Sequence, residues 1–124
     1  MNSNDNEKII RFRFQDLEIW QRSAELSILL FKIADELEAN RQFRFAEQLR
    51  GATLSITNNI AEGSGSTSKA EFRQFLNYAR RSTFETANIL LILSDSRAIE
   101  INKTIILKEL DEISRMITGF SLSL

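Results

Sequence analysis

Asn59-Ile60-Ala61-Glu62-Gly63-Ser64-Gly65-Ser66-Thr67-Ser68-Lys69-Ala70-Glu71-Phe72 is the stretch whose reading decides the fold of this chain. Upstream of it, Phe45, Leu49, Ala52, Ile56 and Ile60 recur at three- and four-residue steps, the period of a helix with one apolar stripe. Downstream, Phe72, Leu76, Ala79, Thr83, Thr86, Leu90 and Leu93 do the same. Between the two lies a glycine-serine turn. Gly63 is expected just past the end of the first of these helices, in the left-handed conformation that glycine adopts without steric cost. Ser68 and Glu71 have the spacing of a capping box, in which hydroxyl and carboxylate each satisfy an orphan amide. The pattern predicts helix two over residues 42–62 and helix three from 68 to about 94.

The same period extends outward. Asp16 is a good N-cap for helix one, whose apolar set is Leu17, Trp20, Ala24, Phe31, Ala34 and Leu37 and which should end near residues 38–40. Asn102 would cap helix four over residues 103–120, with Ile106, Leu110, Ile113, Ile117 and Phe120 inward. No proline and only four glycines in 124 residues suit long helices. Four helices joined by short links predict an all-α, antiparallel up-down-up-down four-helix bundle over residues 14–124. Residues 1–13 read as a flexible N-terminal arm in which Ile10, Phe12 and Phe14 alternate with arginine.

The composition restricts chemistry more than it suggests any. Histidine and cysteine are both absent, which removes the commonest general base near neutral pH, the commonest metal ligands and the thiol nucleophile. No catalytic residue, cofactor or metal site is expected, and the chain does not read as an enzyme. No apolar run reaches membrane-spanning length and no signal peptide is evident, so a cytoplasmic protein with no membrane partner is the expectation. Net charge is −1, yet residues 41–81 carry seven basic and three acidic side chains between two acidic flanks. That imbalance hints at a basic face.

Ile89-Leu90-Leu91-Ile92-Leu93 is apolar all round its helix, as are Ile28-Leu29-Leu30-Phe31 and Ile105-Ile106-Leu107. A helix in a monomeric bundle needs one apolar stripe. Tyr78, Ile89 and Ile92 are therefore expected to meet a second copy of the chain in a homo-oligomer.

Phe14-Gln15-Asp16-Leu17-Glu18-Ile19-Trp20, Gln48-Leu49-Arg50, Ser55-Ile56, Asn59-Ile60-Ala61-Glu62-Gly63, Glu71-Phe72, Phe75-Leu76, Ala79, Ser82 and Glu85 together carry a resemblance. Over residues 14–122 the chain resembles the four-helix-bundle proteins encoded in intervening sequences of bacterial 23S ribosomal RNA genes, the S23 ribosomal protein family. The resemblance implies a four-helix bundle assembled as a ring-like homopentamer. In architecture that family is similar to the accessory protein of diversity-generating retroelements, which works with nucleic acid. The resemblance implies no reaction. Two positions depart from the family pattern: the first inter-helix link, Asn40-Arg41-Gln42-Phe43, lacks a proline, and Arg81 stands where a glycine is usual before Ser82.

The polar motif residues Asn59, Glu62, Gly63, Ser68, Glu71, Ser82 and Glu85 read as structural, with Asn59 and Ser82 satisfying helix backbones. A small-ligand or metal site at Glu62 and Glu85 is a minor alternative. The Gly63–Ser68 turn lacks the preceding strand and the lysine pattern of a P-loop. The functional lead is basic: Lys69, Arg73 and Arg80 share one face of helix three, and Arg41, Arg44, Arg50 and Arg81 lie nearby in sequence. Phe43 and Phe45 interleave aromatic rings with Arg41 and Arg44. The expectation is a non-catalytic oligomeric scaffold associated with RNA or DNA through helices two and three; the alternative is a protein-interaction module with no nucleic-acid role.

Overall fold

The computed structural model describes residues 8–124; the expectation for the first half of the N-terminal arm lies outside them. A short 3-10 turn, Arg13–Asp16, precedes four helices: α1 Glu18–Ala39, α2 Phe43–Ser64, α3 Lys69–Ser96 and α4 Lys103–Ser123. The described residues contain no strand. Each helix packs on the next in the chain, and α1 meets α4 over a shorter seam. One core runs through all four, with Leu30, Leu37, Leu49, Ile56, Ile60, Leu76, Leu90, Leu93, Ile113 and Ile117 fully enclosed.

The arm enters through aromatic packing. Phe14 lies 5.1 Å from Trp20, ring centre to ring centre, and is half-buried, whereas Ile9, Ile10 and Phe12 stay exposed. Asp16 does not cap α1 as expected. Leu17 occupies that position with extended backbone, and Asp16 accepts from Arg11 Nε at 2.7 Å. The buried stripe of α1 is Ile19, Ser23, Leu26, Ser27, Leu30, Ile33, Ala34 and Leu37. Of the expected set, Leu17, Trp20, Ala24 and Phe31 are only half-buried, because α1 carries apolar side chains on more than one face. Ser23 and Ser27 fit the core because each hydroxyl donates back to the carbonyl four residues earlier, both at 2.7 Å.

Helix α3 follows its sequence pattern: Phe72, Leu76, Ala79, Thr83, Thr86, Leu90 and Leu93 are all buried. Thr83 and Thr86 donate to the carbonyls of Arg80 and Ser82. In α2, Leu49, Ala52, Ile56 and Ile60 are buried, but Phe45 is 37% exposed because Ala46 and Leu49 fill the inner positions of that turn. Asn102 occupies the N-cap position of α4 without a side-chain bond.

Gly63 overturns its expected role. It is buried inside α2, as the helix's penultimate residue, and has no positive φ. Its reason is closeness: a Cβ there would stand 2.8 Å from Phe75 Cβ and 2.9 Å from Phe72 Cδ1. The left-handed positions fall instead on Arg41 (φ 65°) and Arg97 (φ 57°). After α1, the amide of Gln42 donates to Leu37 O and that of Arg41 to Glu38 O, the paired bonds of a Schellman stop.

Candidate nucleic-acid interface

The seven basic residues of the middle third do not form one face. Arg50 reaches across the surface to α1, where it donates to Asp35 Oδ1 at 2.7 Å and Glu38 Oε1 at 2.8 Å. Asp35 first, and then Glu38, raise its pKa above the ordinary guanidinium value. These bonds tie α1 to α2 and set Arg50 apart from the α3 edge. Arg44 borders a groove with Phe45, Gln48, Asn88, Ile89 and Ile92, at the far end of α3 from Arg73. Sixteen residues of helix, from Arg73 to Ile89, span roughly 24 Å. Arg41, in its left-handed turn, precedes that same end of α2. Arg81 is exposed but points about a quarter-turn or more away from Arg80.

Lys69, Arg73 and Arg80 do share an edge of α3, facing α4. No Asp or Glu side chain pairs with any of them among the described residues. The carboxylates of α4 are taken by other arginines: Glu109 and Glu112 by Arg22 at 2.7 and 3.2 Å, and Asp111 by Arg115 at 3.0 Å. Arg73 and Arg80 are nevertheless held in place. Arg73 Nη2 donates to the main-chain oxygen of Leu124 at 2.6 Å, and Arg80 Nη2 to Asn77 Oδ1 at 3.0 Å. Each guanidinium has five N–H donors, so most remain available. Between them lies a pocket of about 130 Å³ whose polar rim is Arg73, Asn77, Arg80, Thr118 and Ser121. Every one of these side chains can donate a hydrogen bond and none is acidic, which is the chemistry of an anion cradle. Lys69 opens α3, where the helix dipole adds further positive potential.

Two residues of this edge escaped the sequence reading. Arg13, in the 3-10 turn, sets its guanidinium 5.4 Å from the centre of the Phe72 ring, at the Lys69 end. Phe84, one turn beyond Arg80, is 61% exposed, and Arg80 lies over it at 5.6 Å. Neither carries a sequence signal: Arg13 arrives by tertiary packing, and Phe84 reads as an ordinary apolar helix residue.

The motif residues fall elsewhere. Asn59 Nδ2 donates to Ser55 O at 2.8 Å and to Ser55 Oγ at 3.0 Å; the Ser55 and Ser82 hydroxyls are 2.9 Å apart, and Ser82 Oγ donates to Tyr78 O. This chain of bonds ties α2 to α3. Ser68 Oγ accepts from the Glu71 amide at 3.1 Å, but Glu71 makes no return bond among the described residues. Glu62 and Glu85 are exposed, and no group of three or more potential metal ligands gathers among the described residues. Tyr78 and Ile92 are exposed and Ile89 is half-buried, on the α2 side of α3. No described helix is long and apolar enough to cross a membrane.

The geometry thus defines an all-α protein with four helices, one core and a cationic edge on its longest helix. The chain belongs to the 23S rRNA-intervening sequence protein family, whose model matches residues 15–119. It is similar in fold to the crystal structure of a protein with unknown function from the S23 ribosomal protein family of Bacteroides thetaiotaomicron, with a TM-score of 0.75 and 24% sequence identity. That likeness covers 83% of this chain and 97% of the other. Among curated proteins, none matches.

Proposed function

We propose that this chain is a non-catalytic scaffold that associates with nucleic acid, RNA foremost, through the α3 edge of Lys69, Arg73 and Arg80. The observation that carries the reading is the uneven pairing of charge. Arg22, Arg50 and Arg115 are matched to carboxylates, whereas among the described residues no Asp or Glu side chain pairs with the α3 edge, which gathers hydrogen-bond donors around a shared pocket. Phosphate binding draws on such cations and releases counterions as each is used. Links of only a few residues support an antiparallel up-down-up-down topology. Exposed Tyr78 and Ile92 support a homo-oligomer, and the family resemblance supports a ring of five.

The test is fluorescence anisotropy with structured RNA, single-stranded RNA and duplex DNA at low and near-physiological salt. Wild-type protein should bind at least one of them at micromolar concentration or tighter, with affinity falling as salt rises. Lys69→Glu/Arg73→Glu/Arg80→Glu should abolish binding, and Arg50→Gln should leave it intact. Equal affinity of the triple variant and wild type would overturn the assignment of this edge. Absence of binding even at low salt would favour the protein-interaction reading.

A further inference from the structure

We infer that the α3–α4 groove takes a single-stranded nucleic acid, with one unstacked base laid on the Phe84 ring and neighbouring phosphates on Arg80 and Arg73. This rests on the nucleic-acid reading above and narrows it to a strand type and a residue. Phe84 has no place in the core, because Thr83 and Thr86 take the buried positions of its turn. Nor does it belong with Tyr78 and Ile92, which lie about a quarter-turn or more around α3, toward α2. It borders a groove of about 290 Å³ with an apolar floor of Ala87, Leu91 and Leu110. Polar groups stand on the rim, among them the Asn88 amide and the Asp111 carboxylate.

Along α3 this groove lies next to the donor-lined pocket of Arg73 and Arg80, from which it is separate: Arg80 lines the one, and Thr83 and Phe84 line the other. Arg80 to Phe84 is one turn of helix, about 6 Å. A cationic track beside an exposed ring is the arrangement that binds single strands, since every base has a face that stacks. A duplex keeps its bases stacked and offers the ring nothing. Hydrogen-bond donation separates the nucleic-acid occupant from an acidic peptide, the other ligand a basic groove attracts. Arg115 binds one oxygen of Asp111, and the carboxylate as a whole faces the groove as an acceptor. It would repel a phosphate as it repels an acidic side chain, yet it can accept from the exocyclic amine of a base, a donor that an acidic side chain lacks.

The experiment compares an unstructured single strand with a blunt duplex of the same sequence, at matched salt, on four proteins: wild type, Phe84→Ala, Phe84→Tyr and Arg73→Glu/Arg80→Glu. Wild type should prefer the single strand. Phe84→Ala should lose about ten-fold or more on the single strand, keep its duplex affinity and keep the salt dependence of wild type. Phe84→Tyr should restore binding, and the double charge reversal should abolish it on both ligands. Full single-strand affinity in Phe84→Ala, with loss in the charge reversal, would overturn the stacking role and leave the basic edge standing. No binding by wild type would remove both. Light scattering on Phe84→Ala supplies the remaining check: dissociation of an assembly would make Phe84 a subunit contact and overturn the inference. Tighter binding of wild type to an acidic peptide than to the single strand would do so too.

Discussion

At the scale of the residue, Gly63 and Arg41 exchange the roles that backbone rules would give them. Gly63 lies within a helix, where alanine is ordinarily favoured by about 1 kcal/mol. Here the added methyl would meet Phe75 Cβ and the Phe72 ring below 3 Å. Phe75 Cβ is anchored to its own helix and cannot swing aside, so the clash sets the sign. Gly63→Ala should destabilise by about 1–3 kcal/mol, read as a lower urea midpoint. Gly51 is the internal control. An added Cβ there meets nothing within 4 Å, and Gly51→Ala should be neutral or stabilising. Arg41 sits at φ 65°, where a side chain is strained and glycine is not. Arg41→Gly should therefore raise stability, by about 1 kcal/mol at most. A destabilised Arg41→Gly would mean that the arginine side chain contributes more than its turn costs.

At the scale of the element, the weakest seam is the one most strongly tied. Helices α1 and α4 share the least packing, and Arg22 bridges them to Glu109 and Glu112. Hydrogen bonding to Arg22 holds the Glu109 carboxyl below its ordinary value of 4.5. A depressed carboxyl contributes stability that is present above the ordinary value and is lost as pH falls through the depressed one. Glu109→Gln should thus cost about 1 kcal/mol at pH 7, and the gap from wild type should close in acid. Urea denaturation at pH 7 and pH 3, at one protein concentration, reads this; an equal gap at both pH values would refute it. The elements also show what the sequence makes legible. In helix α3 one stripe runs unbroken from Phe72 to Leu93, and all seven of its residues are buried although Ile89–Leu93 is apolar all round. Helix α1 is apolar on several sides and buries Ser23 and Ser27, so its period could not choose the inner face. The candidate site was legible as charge but not as pairing. Arg50 and Arg73 look alike in the sequence, and only folding brings Asp35 and Glu38, 15 and 12 residues away, onto Arg50. Phe84 stands outside the stripe that the sequence reads, which already holds Thr83 and Thr86, and only folding shows the groove it borders.

At the scale of the whole molecule, α3 presents two different exposed surfaces. Toward α4 lie Arg73, Arg80 and Phe84; toward α2 lie Tyr78 (39% exposed) and Ile92 (50% exposed), with Phe45 across the groove. A surface of the second kind, apolar between Tyr78 and Ile92 and bordered by Arg44, suits contact with another copy of the chain. Ile92 projects outward, so Ile92→Glu should leave the single-chain fold intact. At a subunit contact, however, the new carboxylate would be buried without a partner. Light scattering should show wild type above the mass of one chain and Ile92→Glu at that mass, with equal helical content by circular dichroism. A wild type that is already monomeric would refute the oligomer, and an unchanged mass in Ile92→Glu would place the contact elsewhere. The separation of the two surfaces carries a further consequence. An oligomer joined through the α2 side repeats the α3–α4 groove on every subunit, and linked sites bind with avidity beyond that of any one. Ile92→Glu should therefore weaken binding of a strand long enough to cross several grooves far more than binding of a short strand that fills one. If both lengths lose affinity equally, each groove acts alone and the assembly serves some purpose other than holding the strand.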